Sequence, residues 1–175
     1  MATVERVHAT ALAVGGKGVL IRGPSGSGKS DLALRCMTAG TSYLVPASAC
    51  LVCDDQVAIG VSPAGLAVTA IDAIYGKLEV RGVGIIEVTA VRSAELVLIV
   101  DLVAPELVER LPGFDHVVLA GHGIPRLRLY PFEPSAALKL LLAVAKFDPP
   151  ALTAARAIDD AQTPHPRAHD GRSCK

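Results

Sequence analysis

The sequence predicts an α/β fold in which a mixed, multi-stranded sheet with few helices carries a phosphate-binding loop. Three observations predict it. Short runs rich in Val, Ile, Leu and Ala recur along the chain, divided by turn signals such as GGKG and SPAG. Only SDLALRCMTAG and EPSAALKLLLAVAKF read as clear helices. Between the apolar run VLIRG and the first of these helices lies GPSGSGKS, Gly23 to Ser30, which fits G-x-x-x-x-G-K-[ST].

Taken in order, TVERVHATALAV alternates loosely and reads as one strand, GGKG as a turn, and VLIRG as a second short strand. The first helix carries Leu32, Leu34, Cys36 and Met37, with Gly40 as its stop signal. TSYLVPASA, with Pro46 inside it, reads as a loop. CLVC, QVAIGV and LAVTAI then read as strands of a meander, not as strict β-α-β alternation. KLEVRGVGIIEV places two glycines around a charged Glu-x-Arg pair. LVLIVDLV is a buried strand by composition, APELVERL a short helical turn, and HVVLA and RLRLY further strands. The last helix opens with Pro134 and Ser135. Residues 1–147 thus form one phosphate-loop domain. Residues 148–175 form a polar extension rich in Pro and His, with room for one short helix and an end expected to be disordered. His165 and His169 fall there and read as part of a frayed terminus, not as metal ligands.

Composition narrows the function. Lys and Arg number 17, as do Asp and Glu, so no net field recruits nucleic acid or an anionic membrane. Three Tyr, three Phe and no Trp suit a buried sheet better than an aromatic platform for bases. The apolar runs are broken by charge short of a membrane span, and MATVERVHATALAV lacks the features of a signal peptide, so a cytoplasmic location is expected. Cys50 and Cys53 form one C-x-x-C with no second pair at zinc spacing, which reads as packing in a reducing compartment. Cys36 and Cys174 add nothing to a metal site.

The Gly23–Ser30 stretch is the most specific signal. Its four fixed positions should match by chance in about one chain per hundred or fewer, given average glycine usage. The loop residues Gly23, Pro24, Ser25, Gly26, Ser27 and Gly28 let backbone N–H groups point inward, where a Cβ would obstruct the curl and the phosphate. The following helix adds its positive N-terminal end. Lys29 is placed to reach β- and γ-phosphates, and the Ser30 hydroxyl to join a magnesium shell, so the anion is a nucleotide polyphosphate or pyrophosphate. A phosphate loop does not by itself separate kinase, NTPase and switch. A carboxylate must be added, and two candidates exist: Asp101 closing LVLIVD, and the pair Asp54–Asp55 after CLVC. Spacing does not choose between them. Two adjacent acids beside a metal could divide the work, one orienting and one accepting a proton.

GVLIRGPSGSGKSDLAL, LVCDDQV and LEVRGVGIIEV, in that order, resemble the catalytic domain of the HPr kinase/phosphorylase family. The third segment carries a Glu-x-Arg-Gly-x-Gly-Ile run that ordinary phosphate-loop kinases lack, and the resemblance covers roughly Val7 to Phe147. It implies an HPr kinase catalytic-domain-like fold and ATP-dependent phosphorylation of a serine on HPr, the small carrier of the phosphotransferase system. It implies ATP bound by Gly23 to Ser30, and Mg2+ held by Ser30 with Glu79. Asp55 would be the base that takes the seryl proton, and His8 the active-site histidine. Arg110 would stabilise transferred charge, and Arg81 would organise the site. Family members assemble as hexamers, which implies a homo-oligomer.

The chain departs from the family in three places. It starts directly at the catalytic part, and the segment from Thr41 to Ala49 looks long. Where the family has a basic Gly-Arg-Asn-type loop serving dephosphorylation, this chain reads LYPFEPSA, with Glu133 and no arginine. The expectation is a kinase-dominant enzyme. Two other readings stay open: a small-molecule kinase with Arg126 and Arg128 as its basic lid, and a nucleotide-sensing module with no need of a proton acceptor.

Overall fold

The computed structural model describes residues 3–113 and 115–147. The extension from residue 148, with His165 and His169, lies outside the described residues. Eleven strands and two α-helices are described: β1 (Thr3–His8), β2 (Thr10–Val14), β3 (Lys17–Arg22), α1 (Lys29–Thr38), β4 (Ala49–Cys53), β5 (Gln56–Ser62), β6 (Gly65–Thr69), β7 (Lys77–Val80), β8 (Gly84–Glu87), β9 (Ser93–Leu102), β10 (His116–Leu119), β11 (His122–Leu129) and α2 (Ala136–Phe147). Asp72–Ile74 and Pro105–Leu107 form single 3-10 turns.

The main sheet runs β1-β5-β6-β9-β3-β2-β4, with β11 also beside β9 and β10 beside β11; β7 and β8 form a separate hairpin. The sheet is mixed, as expected. β9 lies parallel to β3 and β11, while β5–β6, β2–β3 and β2–β4 are antiparallel. The long apolar β9 is the spine, holding β3 along one side and β6 and then β11 along the other.

Period-two alternation in β2 splits the core in two. Leu12 and Val14 face the helices, joining Val19 and Ile21 of β3, Leu32 and Cys36 of α1, and Leu140 and Val144 of α2. Ala11 and Ala13 face the other way, joining Leu20, Val57, Ile59, Leu66 and Val68. Small side chains on that second face let β5 and β6 curl back over it. Each fully buried Leu or Ile contributes about 1.5–3 kcal/mol, so both faces are needed to hold the curl closed.

The run Thr3–Val14, expected as one strand, divides at Ala9. β1 pairs with β5, whereas β2 pairs with β3 and β4. The Ala9 N–H donates to the Asp55 carbonyl at 3.2 Å, so both chains change partner at the same level. That crossing brings His8, Ala9 and Thr10 against Asp54 and Asp55. No described helix is long and apolar enough to cross a membrane.

Candidate functional site

The loop between β3 and α1 takes the form its glycines dictate. Gly28, the residue before α1, has φ 91°, a left-handed conformation that side chains resist. A Cβ on Gly23 would sit 2.6 Å from Ser27 Oγ, so glycine is also required where the loop closes on itself. Lys29 opens α1 and is buried. Its ammonium donates to the carbonyls of Gly23 and Pro24, each at 3.0 Å, and lies 3.1 Å from His8 Nε2. Burial pushes Lys29 below its ordinary pKa, against the opposing pull of Asp54 and Asp55.

The acid pair, left unresolved by spacing, divides sharply. Asp54 is only 6% exposed. It accepts from Thr10 Oγ1 at 2.6 Å, from Ser30 Oγ at 3.0 Å on both oxygens, and from the Glu79 N–H at 3.3 Å. Asp55 has φ 66°, which turns its side chain out of the strand path, and that side chain is 70% exposed. Its Oδ1 lies 3.2 Å from His8 Nδ1. The His8 ring thus stands between the two, with Nε2 toward the Lys29 ammonium and Nδ1 toward Asp55. The structure therefore joins Lys29, His8 and Asp55 in one line.

The β7–β8 hairpin supplies the facing wall. The Leu51–Ala90 bridge ties the segment after it to β4. Glu79 and Arg81 line a cleft of about 280 Å³, together with His8, Lys29, Ser30, Asp54 and Asp55. Arg81 reaches the loop itself, its guanidinium 3.8 Å from where a Gly26 Cβ would stand. Ser30, Asp54 and Glu79 offer a hydroxyl and carboxylates. These are hard oxygen donors that suit a magnesium ion completed by substrate phosphates and water. Among the described residues no cluster of three or more His, Cys, Asp or Glu is placed to hold a metal ion.

Other expected residues lie elsewhere. Arg110 is exposed after the Pro105–Leu107 turn and does not line the cleft. Asp101 is engaged by Arg22, through bonds of 2.7 and 2.9 Å, with Arg126 3.7 Å away. Arg126 is also bonded to Asp115 and Arg128 to Glu109, so neither forms a free basic lid. The Arg126 guanidinium in turn holds Asp115 below the usual carboxylate range. Cys50 and Cys53 stand on β4 as free thiols, both pushed up by burial, which agrees with packing. Thr10, Asp54 in its anchoring role, and Phe132 were not identifiable from sequence spacing. The one sequence signal for Thr10 is a polar residue in an otherwise apolar strand.

A curled mixed sheet, a glycine-lined loop running into α1 and an acid beside its serine define a phosphate-loop fold of an unusual, strand-rich kind. The chain belongs to the family of the HPr serine kinase C-terminal domain, whose model matches residues 1–111. It is 38% identical over 98 residues to an HPr kinase/phosphorylase of Clostridium botulinum (strain Eklund 17B / Type B), covering 56% of this chain and 30% of that protein. It is 36% identical over 123 residues to the HPr kinase/phosphorylase of Bordetella pertussis, covering 64% of this chain and 37% of that protein. The chain thus spans about a third of the length of these relatives. The structure of the HPr(Ser) kinase/phosphatase from Coxiella burnetii matches with TM-score 0.66 and 25% identity, over 90% of this chain and 96% of that one.

Proposed function

We propose that this protein is an ATP-dependent kinase that phosphorylates a serine of an HPr-type carrier. The observation that carries this reading is the contrast between the two neighbouring acids. Asp54 is buried and held by Thr10 and the serine of the loop. Asp55 is exposed in the cleft beside His8, free to meet a substrate hydroxyl.

The loop amides of residues 23–30 and Lys29 bind the polyphosphate, and Arg81 takes the charge-stabilising place expected of Arg110. Ser30, Asp54 and Glu79 would hold Mg2+, which supplies neutralisation of phosphate charge when bound. Asp54, occupied by its hydrogen bonds, does not compete for the seryl proton. Asp55 accepts that proton as the serine oxygen bonds the γ-phosphorus and the bond to ADP breaks. His8 fixes the Asp55 carboxylate and connects it to Lys29. Glu133 pairs with Lys139 at 2.5 Å, so the segment that is basic elsewhere in the family is neutralised here, which favours the kinase direction. An oligomer, hexameric by family resemblance, is part of the same proposal.

The test is incubation with ATP, magnesium and HPr, followed by intact mass measurement and peptide mapping. One phosphate on a serine of HPr is expected. Unmodified HPr in the presence of bound nucleotide would leave a binding module instead.

A further inference from the structure

The residues described so far account for the phosphate half of a nucleotide and leave its base without a partner. We infer that Phe132 is the platform on which that base stacks. This deepens the nucleotide reading above and rests on it. The cleft is polar around Lys29 and Asp54, but Leu34, Val80 and Phe132 give it an apolar side, and Phe132 is the one phenyl ring among its lining residues. The ring lies against the start of α1: its Cε1 is 3.1 Å from where a Gly28 Cβ would stand. Gly28 is therefore needed twice, for its φ and for the seat of this ring.

An exposed aromatic is ordinary on a protein surface. What sets Phe132 apart is that it remains 59% exposed on a segment fastened from both sides. Arg35, one helical turn beyond Asp31, donates to the carbonyls of Pro131 and Glu133, the two residues flanking Phe132. Asp31 holds the same guanidinium at 2.9 Å. The Tyr130 ring packs against Phe132 at 5.7 Å with an interplanar angle of 75°. The side chain is thus pre-positioned, with its conformational freedom restricted before any ligand arrives, and it lines the cleft with more than half of its surface exposed. A flat, apolar, polarisable base is the part of a nucleoside triphosphate that such a surface receives. Every base has a π-face, so the platform favours nucleotides over inorganic polyphosphates and discriminates weakly among purines.

Calorimetric titration of the full chain with Mg·ATP and with Mg·tripolyphosphate separates the two halves of the site. Phe132→Ala is expected to weaken ATP by roughly five- to one-hundred-fold, the range for loss of one aromatic stacking partner, and to leave tripolyphosphate unchanged. Phe132→Trp should retain ATP affinity. As the chain has no other Trp, its emission should change with ATP and stay constant with tripolyphosphate. An equal loss for both ligands, no loss for either, or the same emission change with both would overturn the stacking role. If the unmodified chain binds neither ligand, the nucleotide reading itself fails, an outcome distinct from failure of the platform.

Discussion

Asp54 and Asp101 each stand at or near the end of an apolar strand, and by local sequence they are equivalent. Their surroundings differ completely. β9 runs parallel beside the loop-bearing β3, the expected position for a metal-binding acid, yet Asp101 is consumed by Arg22 on that neighbour, with Arg126 close by. Asp54 comes from β4, which reaches the loop through β2, and it is Asp54 that accepts the Ser30 hydroxyl. Chemistry here is assigned by which partner the topology delivers, not by the strand-plus-acid pattern. A salt bridge holds one acid within the sheet, while the hydroxyl of the loop serine holds the other at the wall of the cleft.

The largest effect should come from the exposed member of the acid pair. Asp55→Asn is expected to lower the rate of HPr phosphorylation by about 10²- to 10⁴-fold, the range for loss of a general base. Nucleotide affinity, read by titration, should be retained. A variant that keeps near-normal turnover would remove Asp55 from the chemistry. Asp101→Asn should do the opposite: phosphorylation persists while stability, read by denaturant midpoint, falls by about 1–2 kcal/mol, discounted because the pair is partly exposed. Strong loss of turnover in a fully folded Asp101→Asn protein would reverse the comparison. Thr10→Val, nearly isosteric and compatible with a strand, should cost about 1 kcal/mol and raise the magnesium concentration needed for nucleotide binding; Thr10→Ser should restore both.

The last effect is confined to alkaline pH and concerns the helix face. Burial raises the Cys36 thiol from 9.0 to about 12. Above pH 9 the unfolded chain releases a proton that the folded chain keeps, so this contribution to stability is present below pH 9 and is lost as pH rises toward about 12. Cys36→Ala should flatten that part of the stability profile. An unchanged slope would contradict the burial.

Much of this architecture was legible in the sequence because it is local. GPSGSGKS dictates a loop and a helix start, whereas the sequence shows in KLEVRGVGIIEV only two glycines around a Glu-x-Arg pair, and the β7–β8 hairpin is seen in the structure. The meander of β5 and β6 follows from alternation across SPAG. The rest depends on long-range pairing. The break at Ala9 requires β5, and the Arg22–Asp101 pair joins residues 79 apart in sequence. The fastening of Phe132 by Arg35 spans a comparable distance, and composition, which favours a buried sheet over an aromatic platform, gives no sign of it. Arg110 illustrates the converse: a residue placed by resemblance that the fold of this chain leaves outside the cleft.

The decisive measurement takes Asp54→Asn and Asp55→Asn side by side, recording the magnesium dependence of ATP affinity and the phosphorylation of HPr in the same preparations. The division of labour predicts that Asp54→Asn loses the magnesium-dependent part of nucleotide binding, while Asp55→Asn binds Mg·ATP normally and fails only at transfer. The reverse pattern, or identical behaviour of the two variants, would contradict it.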